Sequence, residues 1–495
     1  MRKGAVLAAA VLFLTVALVG RAVGQPKTIR ALPPPNVSGA RFSPQQVAAG
    51  RYLVILGDCM PCHTVTGGAA FAGGRPIPTP FGPLVSANIT PDRETGLGGW
   101  SSDDFYRALH EGKSRKVGNL YPAFPYIHYT KVSRADVDAI YAYLQTIPAV
   151  TSDPKRDQLP FPYRIRQLMA VWNWLFFEPG AYDPDPNRSA EWNRGAYLVQ
   201  GLGHCGDCHT PRNVLGGAER RKRFRGGAFP GWFAPDLTDN RSVGLGSWSD
   251  AELLEFFRTG RNVRTAATGE MGEVVAYSTS QMTDGDLRAI ITYLRSLPAS
   301  PEATVSLPGR EAMAAGEAIY RDQCSACHRM DGSGVRRLFP PLAGNANLQQ
   351  ANPRTVARLV LVGAQTMPTD PRPTAFTMPA YAWKLSDRQI ADVLTYARNS
   401  WGNRAAAVSA EDVAKLRRQL KPRAAIAPVP RGSMLHPAPG TLAKPGTDSR
   451  DNGTAHAGRA AAPEADRNPR NTTGPPGNMD LPKHKPHRHE AQGPG

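Results

Sequence analysis

All six cysteines of the chain fall in three copies of one pattern: Cys59-Met60-Pro61-Cys62-His63, Cys205-Gly206-Asp207-Cys208-His209 and Cys324-Ser325-Ala326-Cys327-His328. A C-x-x-C-H run reads as c-type haem attachment. The chemistry needs that order. Two thiols add across the two vinyl groups of the porphyrin and become thioethers. The two residues between them make one helical turn, which matches the vinyl separation. The adjoining histidine then presents a ring nitrogen to the iron. Other readings fit poorly. A thioredoxin-like redox pair needs one such motif beside a βαβ pattern. Zinc needs pairs of motifs converging on one ion, and these runs lie more than a hundred residues apart. A disulfide framework gives no reason for a histidine after each pair. The expected cofactor is therefore three covalently bound haem c. Cys59, Cys62, Cys205, Cys208, Cys324 and Cys327 are the attachment points, and His63, His209 and His328 are iron ligands.

A low-spin electron-transfer haem takes a second axial ligand, usually Met or His. It should lie on a loop between the attachment run and the last helix of the unit. In the third unit Met378-Pro379 stands eight residues before Ser386, with Met367-Pro368 a more distant competitor. In the second, Met271 lies twelve residues before Thr283, while Met282 abuts the helix cap and reads as a packing position. The first unit has no Met between His63 and its last helix, and Met60 lies inside the attachment run itself. Its corresponding loop is Tyr121-Pro122-Ala123-Phe124-Pro125-Tyr126-Ile127-His128, which makes His128 the leading candidate. A bis-histidine haem there would have a lower potential than its Met-ligated neighbours. His110 fits less well because it ends a helix. The other reading is an open or water-bound iron, with His128 on the surface.

These side chains must be positioned by a repeat of about 100 residues. An amphipathic helix precedes each attachment run, carrying Gly50 and Tyr52, then Gly195 and Tyr197, then Gly316 and Tyr320. A second helix closes each unit: Arg134 to Thr146, Asp284 to Ser296 and Asp387 to Ser400. Ser133, Thr283 and Ser386 stand before them as N-caps. Tyr143, Tyr293 and Tyr396 recur at matching places. The small glycine of the first helix should let the last helix cross closely, with tyrosine rings packing alongside. The first two units share a further element. Asn88-Ile89-Thr90 leads to Gly96-Leu97-Gly98-Gly99-Trp100-Ser101, and Asp236-Leu237-Thr238 leads to Gly244-Leu245-Gly246-Ser247-Trp248-Ser249. Short helices follow at Asp103 to His110 and Asp250 to Thr259. The third unit has Pro340-Pro341-Leu342 instead. Trp100 and Trp248 are suited either to hydrogen-bond haem propionates or simply to pack. The expected fold is all-α: three tandem class I cytochrome c-type domains at 41–150, 189–300 and 308–403. A spacer at 151–188 holds Trp172, Trp174, Phe176 and Phe177, suited to pack between domains or to dock a partner.

The ends and the overall balance narrow the class. Of 495 residues 41% are hydrophobic, enough for packed cores, whereas 48 Gly and 46 Pro predict long loops and an unstructured stretch. Residues 404–495 carry that bias and are expected to be disordered, apart from one amphipathic helix at Ala410 to Leu420. A balance of 59 Lys+Arg against 41 Asp+Glu, net +18, admits nucleic acid or an anionic membrane surface. No basic stripe with interleaved aromatics supports nucleic acid. Arg2 and Lys3, the apolar run Ala5 to Val19, and the small residues Ala22 and Gly24 read as a secretory signal peptide over 1–24. The apolar run is shorter than the ~20 residues a membrane span needs. Export and covalent haem together place the mature chain at the periplasmic face of a bacterial membrane.

The three runs resemble the triheme cytochrome c subunit of membrane-bound bacterial dehydrogenases. So do the loops Tyr121 to Tyr126, Met271-Gly272-Glu273-Val274-Val275 and Met378-Pro379-Ala380-Tyr381, and the closing run Lys384-Leu385-Ser386-Asp387 to Ser400-Trp401-Gly402-Asn403. The resemblance covers about Arg41 to Asn403. It implies an electron-transfer subunit that takes electrons from a catalytic dehydrogenase partner of quinoprotein, flavin or molybdenum type and reduces ubiquinone at the membrane. The chain departs from the alcohol and gluconate members at Phe124, where they carry Met, and there it looks more like the molybdenum-linked branch. Its polar tail also differs from their amphipathic C-terminal anchor. No nucleophile–base pair, phosphate loop or nucleotide fingerprint occurs, so substrate oxidation by this chain alone is not expected. Two rival readings remain open: a haem enzyme or gas sensor built on an open first haem, and a free electron shuttle to a terminal oxidase.

Overall fold

A computed structural model describes residues 31–37, 41–154, 157 and 159–420. The expected signal peptide and the tail beyond 420 lie outside the described residues. The fold is helical, with four small two-stranded antiparallel hairpins between helices. The longest of these, Arg225–Phe229 with Trp232–Asp236, lies in the second unit and has no counterpart of that length in the others.

Three opening helices, Pro44–Leu56, Ala190–Gln200 and Arg310–Gln323, each precede a cysteine run. Three closing helices span Arg134–Thr146, Asp284–Arg295 and Asp387–Ala397. The expected caps hold. Ser133, Thr283 and Ser386 each accept a hydrogen bond from a backbone N–H three residues on, satisfying a donor the helix leaves unpaired. The second and third closing helices end earlier than expected, at Arg295 and Ala397. Just beyond them the Ser296 N–H bonds the Tyr293 carbonyl and the Asn399 N–H bonds that of Tyr396, both at shorter, turn-like spacing. The short helices span Ser102–Glu111 and Asp250–Thr259, both with a capping box.

Opening and closing helices cross at a glycine in every unit. A Cβ on Gly50 would stand 1.8 Å from the Ala139 carbonyl oxygen, one on Gly195 1.9 Å from that of Ala289, and one on Gly316 2.1 Å from that of Asp392. The nearest side-chain atoms at the same three crossings are the β-carbons of Tyr143, Tyr293 and Tyr396. Only a residue without a Cβ permits so close an approach.

The hydrophobic core is divided unevenly. One continuous cluster joins the first two units, running from Val47, Leu53 and Tyr143 through Leu198, Val199 and Leu202 to Ile290 and Leu294. A second cluster serves the third unit and includes Leu361, Ile390, Leu394, Val413 and Leu416. The helix Ala410–Leu420 forms as expected and closes that core.

The first two units are joined by reciprocal contacts. Tyr52 of the first opening helix donates to Asp286 of the second closing helix at 2.7 Å, and its oxygen accepts from the Thr283 N–H at 3.0 Å. Tyr197 of the second opening helix donates to Asp136 of the first closing helix at 2.5 Å, and accepts from the Ser133 N–H at 3.1 Å. Each helix therefore caps its neighbour's partner, as an approximate two-fold relation requires. The spacer contributes a helix, Leu168–Phe176, whose Trp172 is buried and donates its indole N–H to the Leu215 carbonyl. Trp174 on the same helix is 82% exposed.

Candidate haem-binding sites

Each cysteine run forms a single helical turn. The backbone N–H of His63, His209 and His328 bonds the carbonyl of Cys59, Cys205 and Cys324 at 3.1, 3.0 and 3.0 Å. That turn puts the two thiols and the imidazole on one short stretch of backbone. None of the six cysteines is paired in a disulfide. Burial pushes the Cys59 thiol up to about 12 and those of Cys205 and Cys324 up to about 11. Cys59, Cys205 and Cys324 thus lack the depressed thiol pKa of redox-active pairs.

The three histidines share one further contact. Nδ1 lies 2.7 Å from the Ala87 carbonyl oxygen in His63, 2.7 Å from that of Pro235 in His209, and 3.0 Å from that of Pro340 in His328. A carbonyl only accepts, so Nδ1 must carry the proton and Nε2 keeps its lone pair. Burial lowers all three imidazole pKa values, against the raising effect of that bond. The rings are neutral at pH 7 and held in the tautomer that a metal-ligating histidine uses. The supporting carbonyls are not among the residues singled out from sequence, although a signal was present. Ala87 and Pro235 stand directly before the matched triplets at Asn88 and Asp236, and Pro340 opens the third unit's replacement for them.

An arginine braces the first two runs in the same way. Arg75 donates to the Pro61 carbonyl at 2.9 Å, and Arg212 to the Asp207 carbonyl at 3.1 Å. Each also pairs with a carboxylate, Arg75 with Glu273 at 2.7 Å and Arg212 with Asp207. Neither arginine is singled out from sequence, since a charged residue in a loop carries no local mark of such a contact.

Other polar groups bear on whether the residues fit a haem. The indole N–H of Trp100 is buried with no hydrogen-bond partner. A buried donor left unpaired costs about 1–3 kcal/mol, so an acceptor from outside the chain would relieve it, as a haem propionate could. Together with three pre-set imidazoles and six cysteines held in pairs on single helical turns, this donor set fits c-type haem.

The expected distal ligands are placed as follows. Met271 lies in the first turn of the helix Gly269–Tyr277, and Met378 ends a short strand paired with Ala364–Gln365. The competitor Met367 lies against the helix that carries Met271, its Cγ 3.2 Å from where a Cβ on Gly272 would sit. Met282 is buried in the core shared by the first two units, as expected of a packing residue. The polar neighbours of His128 lie outside its own attachment run. Its Nδ1 lies 3.1 Å from the Gln200 carbonyl, its Nε2 lies 3.8 Å from Asp207, and its Cε1 is 3.0 Å from a Cβ position on Gly206. All three partners belong to the second unit. The physical reason is that the loop after Phe124 continues into the turn Tyr126–Tyr129, which packs across the junction between units.

Comparison with known proteins agrees with this donor set. A cytochrome c family model matches residues 313–401. The chain is 39% identical to the gluconate 2-dehydrogenase cytochrome c subunit of Pantoea cypripedii, over 79% of this chain and 95% of that protein. It is likewise 39% identical to the cytochrome c subunit of the quinone alcohol dehydrogenase of Gluconacetobacter polyoxogenes, over 75% and 84%. Identity to a nicotinate dehydrogenase subunit of Pseudomonas putida is 42% over 80% of this chain, which corresponds to 33% of that protein. On this coverage and identity, the chain belongs to the family of cytochrome c subunits of bacterial dehydrogenases.

Proposed function

We propose that the chain is a three-haem electron relay. It would carry electrons from a partner dehydrogenase at the periplasmic face of the membrane to ubiquinone. The carrying observation is the recurrence of one arrangement, cysteine turn plus Nδ1-to-carbonyl bond, at His63, His209 and His328. In this reading 41–150, 189–300 and 308–403 are tandem class I cytochrome c-type domains, with 151–188 as spacer. Cys59 and Cys62, Cys205 and Cys208, and Cys324 and Cys327 each hold one haem by thioether bonds, with Met271 and Met378 the distal ligands of the second and third. Bound haem supplies reversible one-electron chemistry at iron.

The protein's part is placement. Ala87, Pro235 and Pro340 fix the ring orientation and raise the basicity of each histidine. Arg75 and Arg212 pin the attachment turns. The shared core and the Tyr52–Asp286 and Tyr197–Asp136 bonds hold the first two sites in a fixed relation. A partner of the dehydrogenase class is supported by the relatives' names. No helix among the described residues is long and apolar enough to cross a membrane.

The test is reconstitution. The chain is co-expressed with a candidate dehydrogenase catalytic subunit, the complex is purified, and substrate is added with a ubiquinone analogue. The reading expects substrate-dependent reduction of the haems and then of the quinone. Quinone reduction that persists when the cytochrome chain is omitted contradicts it.

A further inference from the structure

The loops that carry the distal position can be aligned by structure. The short helices Ser102–Glu111 and Asp250–Thr259 both end on a left-handed glycine, Gly112 at φ 62° and Gly260 at φ 68°. Each loop then returns to that glycine. The Leu120 N–H bonds the Gly112 carbonyl at 2.7 Å, and the Ala267 N–H bonds the Gly260 carbonyl at 2.7 Å. Four residues beyond the closing bond stand Phe124 in one loop and Met271 in the other. The third unit is built differently: Gly363 ends the helix Arg354–Val362, and Met378 itself pairs with Ala364, the residue directly after that glycine.

A phenyl ring has no lone pair to give a metal. The remaining candidates in the first unit are committed elsewhere. His110 is buried, its Nε2 2.6 Å from the Val132 carbonyl and its ring stacked on Tyr106 at 4.0 Å. His128 faces Gln200 and Asp207 of the second unit. The phenols of Tyr121, Tyr126 and Tyr129 donate to the Tyr163 carbonyl, to Asn173 and to the Gly57 carbonyl. Phe124 itself packs on the shared core, edge-on to Tyr129 with ring centroids 5.4 Å apart.

We infer that Phe124 takes the place of a sixth ligand at the first haem, leaving that iron five-coordinate behind an apolar wall and open to a small neutral π-acceptor of the carbon monoxide or nitric oxide class. This rests on the three-haem reading. Binding is simple addition to ferrous iron, with no bond broken and no electron exchanged. A phenyl ring favours a neutral diatomic ligand over a charged one, because it cannot compensate a desolvated charge.

The full chain is exported with its haems attached, and haem is first counted as the pyridine haemochrome. The dithionite-reduced protein is then titrated with carbon monoxide, and the ferric protein is examined by electron paramagnetic resonance. The expected result is one haem in three that binds carbon monoxide and one high-spin ferric signal. Phe124→Met should abolish both and add a low-spin haem, Phe124→Leu should retain carbon monoxide binding, and His128→Ala should leave the spectra unchanged. Three haems of which none binds carbon monoxide overturns the inference and leaves the relay standing. So does carbon monoxide binding that appears only in His128→Ala. A count below three strikes the underlying reading instead.

Discussion

Replacing Gly50 by alanine sets two effects of opposite sign against each other. Gly50 is interior to the helix Pro44–Leu56, where alanine is intrinsically favoured over glycine by about 1 kcal/mol. On propensity alone the variant would be more stable. Packing says otherwise. The new Cβ would lie 1.8 Å from the Ala139 carbonyl oxygen, whereas ordinary contact begins near 3.4 Å. The opening and closing helices would have to part by roughly 1.6 Å at their crossing, the difference of those two distances. A gap of 0.5–1 Å already forfeits about a quarter to a half of a dispersion well. The separation would therefore cost most of the contact between the two helices, and overpacking of this kind costs about 1–3 kcal/mol. Taking the upper end and subtracting the propensity gain leaves a net loss of about 2 kcal/mol, a midpoint roughly 4–8 °C lower for a body of this size. Thermal unfolding of the haem-loaded protein, followed by far-ultraviolet dichroism, measures it. Gly309→Ala is the control, since a Cβ there meets nothing within 4 Å, and it should shift the midpoint by no more than about 2 °C. A Gly50→Ala protein that melts at or above the wild-type midpoint would refute the close-crossing argument.

Further consequences concern the junction between units and the iron ligands. Tyr52→Phe and Tyr197→Phe each leave a carboxylate short of a donor, so each should cost about 1–3 kcal/mol in urea unfolding. Burial pushes the Asp286 carboxyl up, but hydrogen bonds from Arg194 and Tyr52, with the charge of Arg194, outweigh it and hold it below the usual carboxylate range. Its contribution is thus fully present above the unfolded value near 4 and disappears as pH falls through the lower folded value. Stability should therefore drop below about pH 4, and Asp286→Asn should flatten that part of the profile. Met378→His should lower the potential of one haem in a redox titration, by a sizeable part of the ~0.8 V that axial ligands command, while the other haems keep theirs.

The elements that hold the sites were largely legible in the sequence because their signals are local. A cysteine–histidine run, a Ser or Thr before an apolar stripe, and a glycine within a turn or so of a tyrosine all act within one or two turns of helix. Ser133, Thr283, Ser386, Gly50, Gly195 and Gly316 could be read that way. The joining of the first two units could not, because Tyr52 meets Asp286 across more than two hundred residues. Both tyrosines read equally well as plain core residues. His128 shows the same limit. Its position in the chain suits a ligand for the first site, but the turn that carries it packs across the junction and faces the second unit's Gly206 and Asp207. The carbonyls that orient the proximal histidines left only an indirect mark, because a backbone acceptor imposes no side-chain identity on Ala87 or Pro235.

Intact-mass measurement of the exported chain under denaturing conditions puts the central claim to its plainest trial. A mass exceeding that of the processed polypeptide by three haem groups, with all of the haem resistant to acid–solvent extraction, is the predicted result. A polypeptide carrying two or fewer, or haem that washes out, would contradict the account.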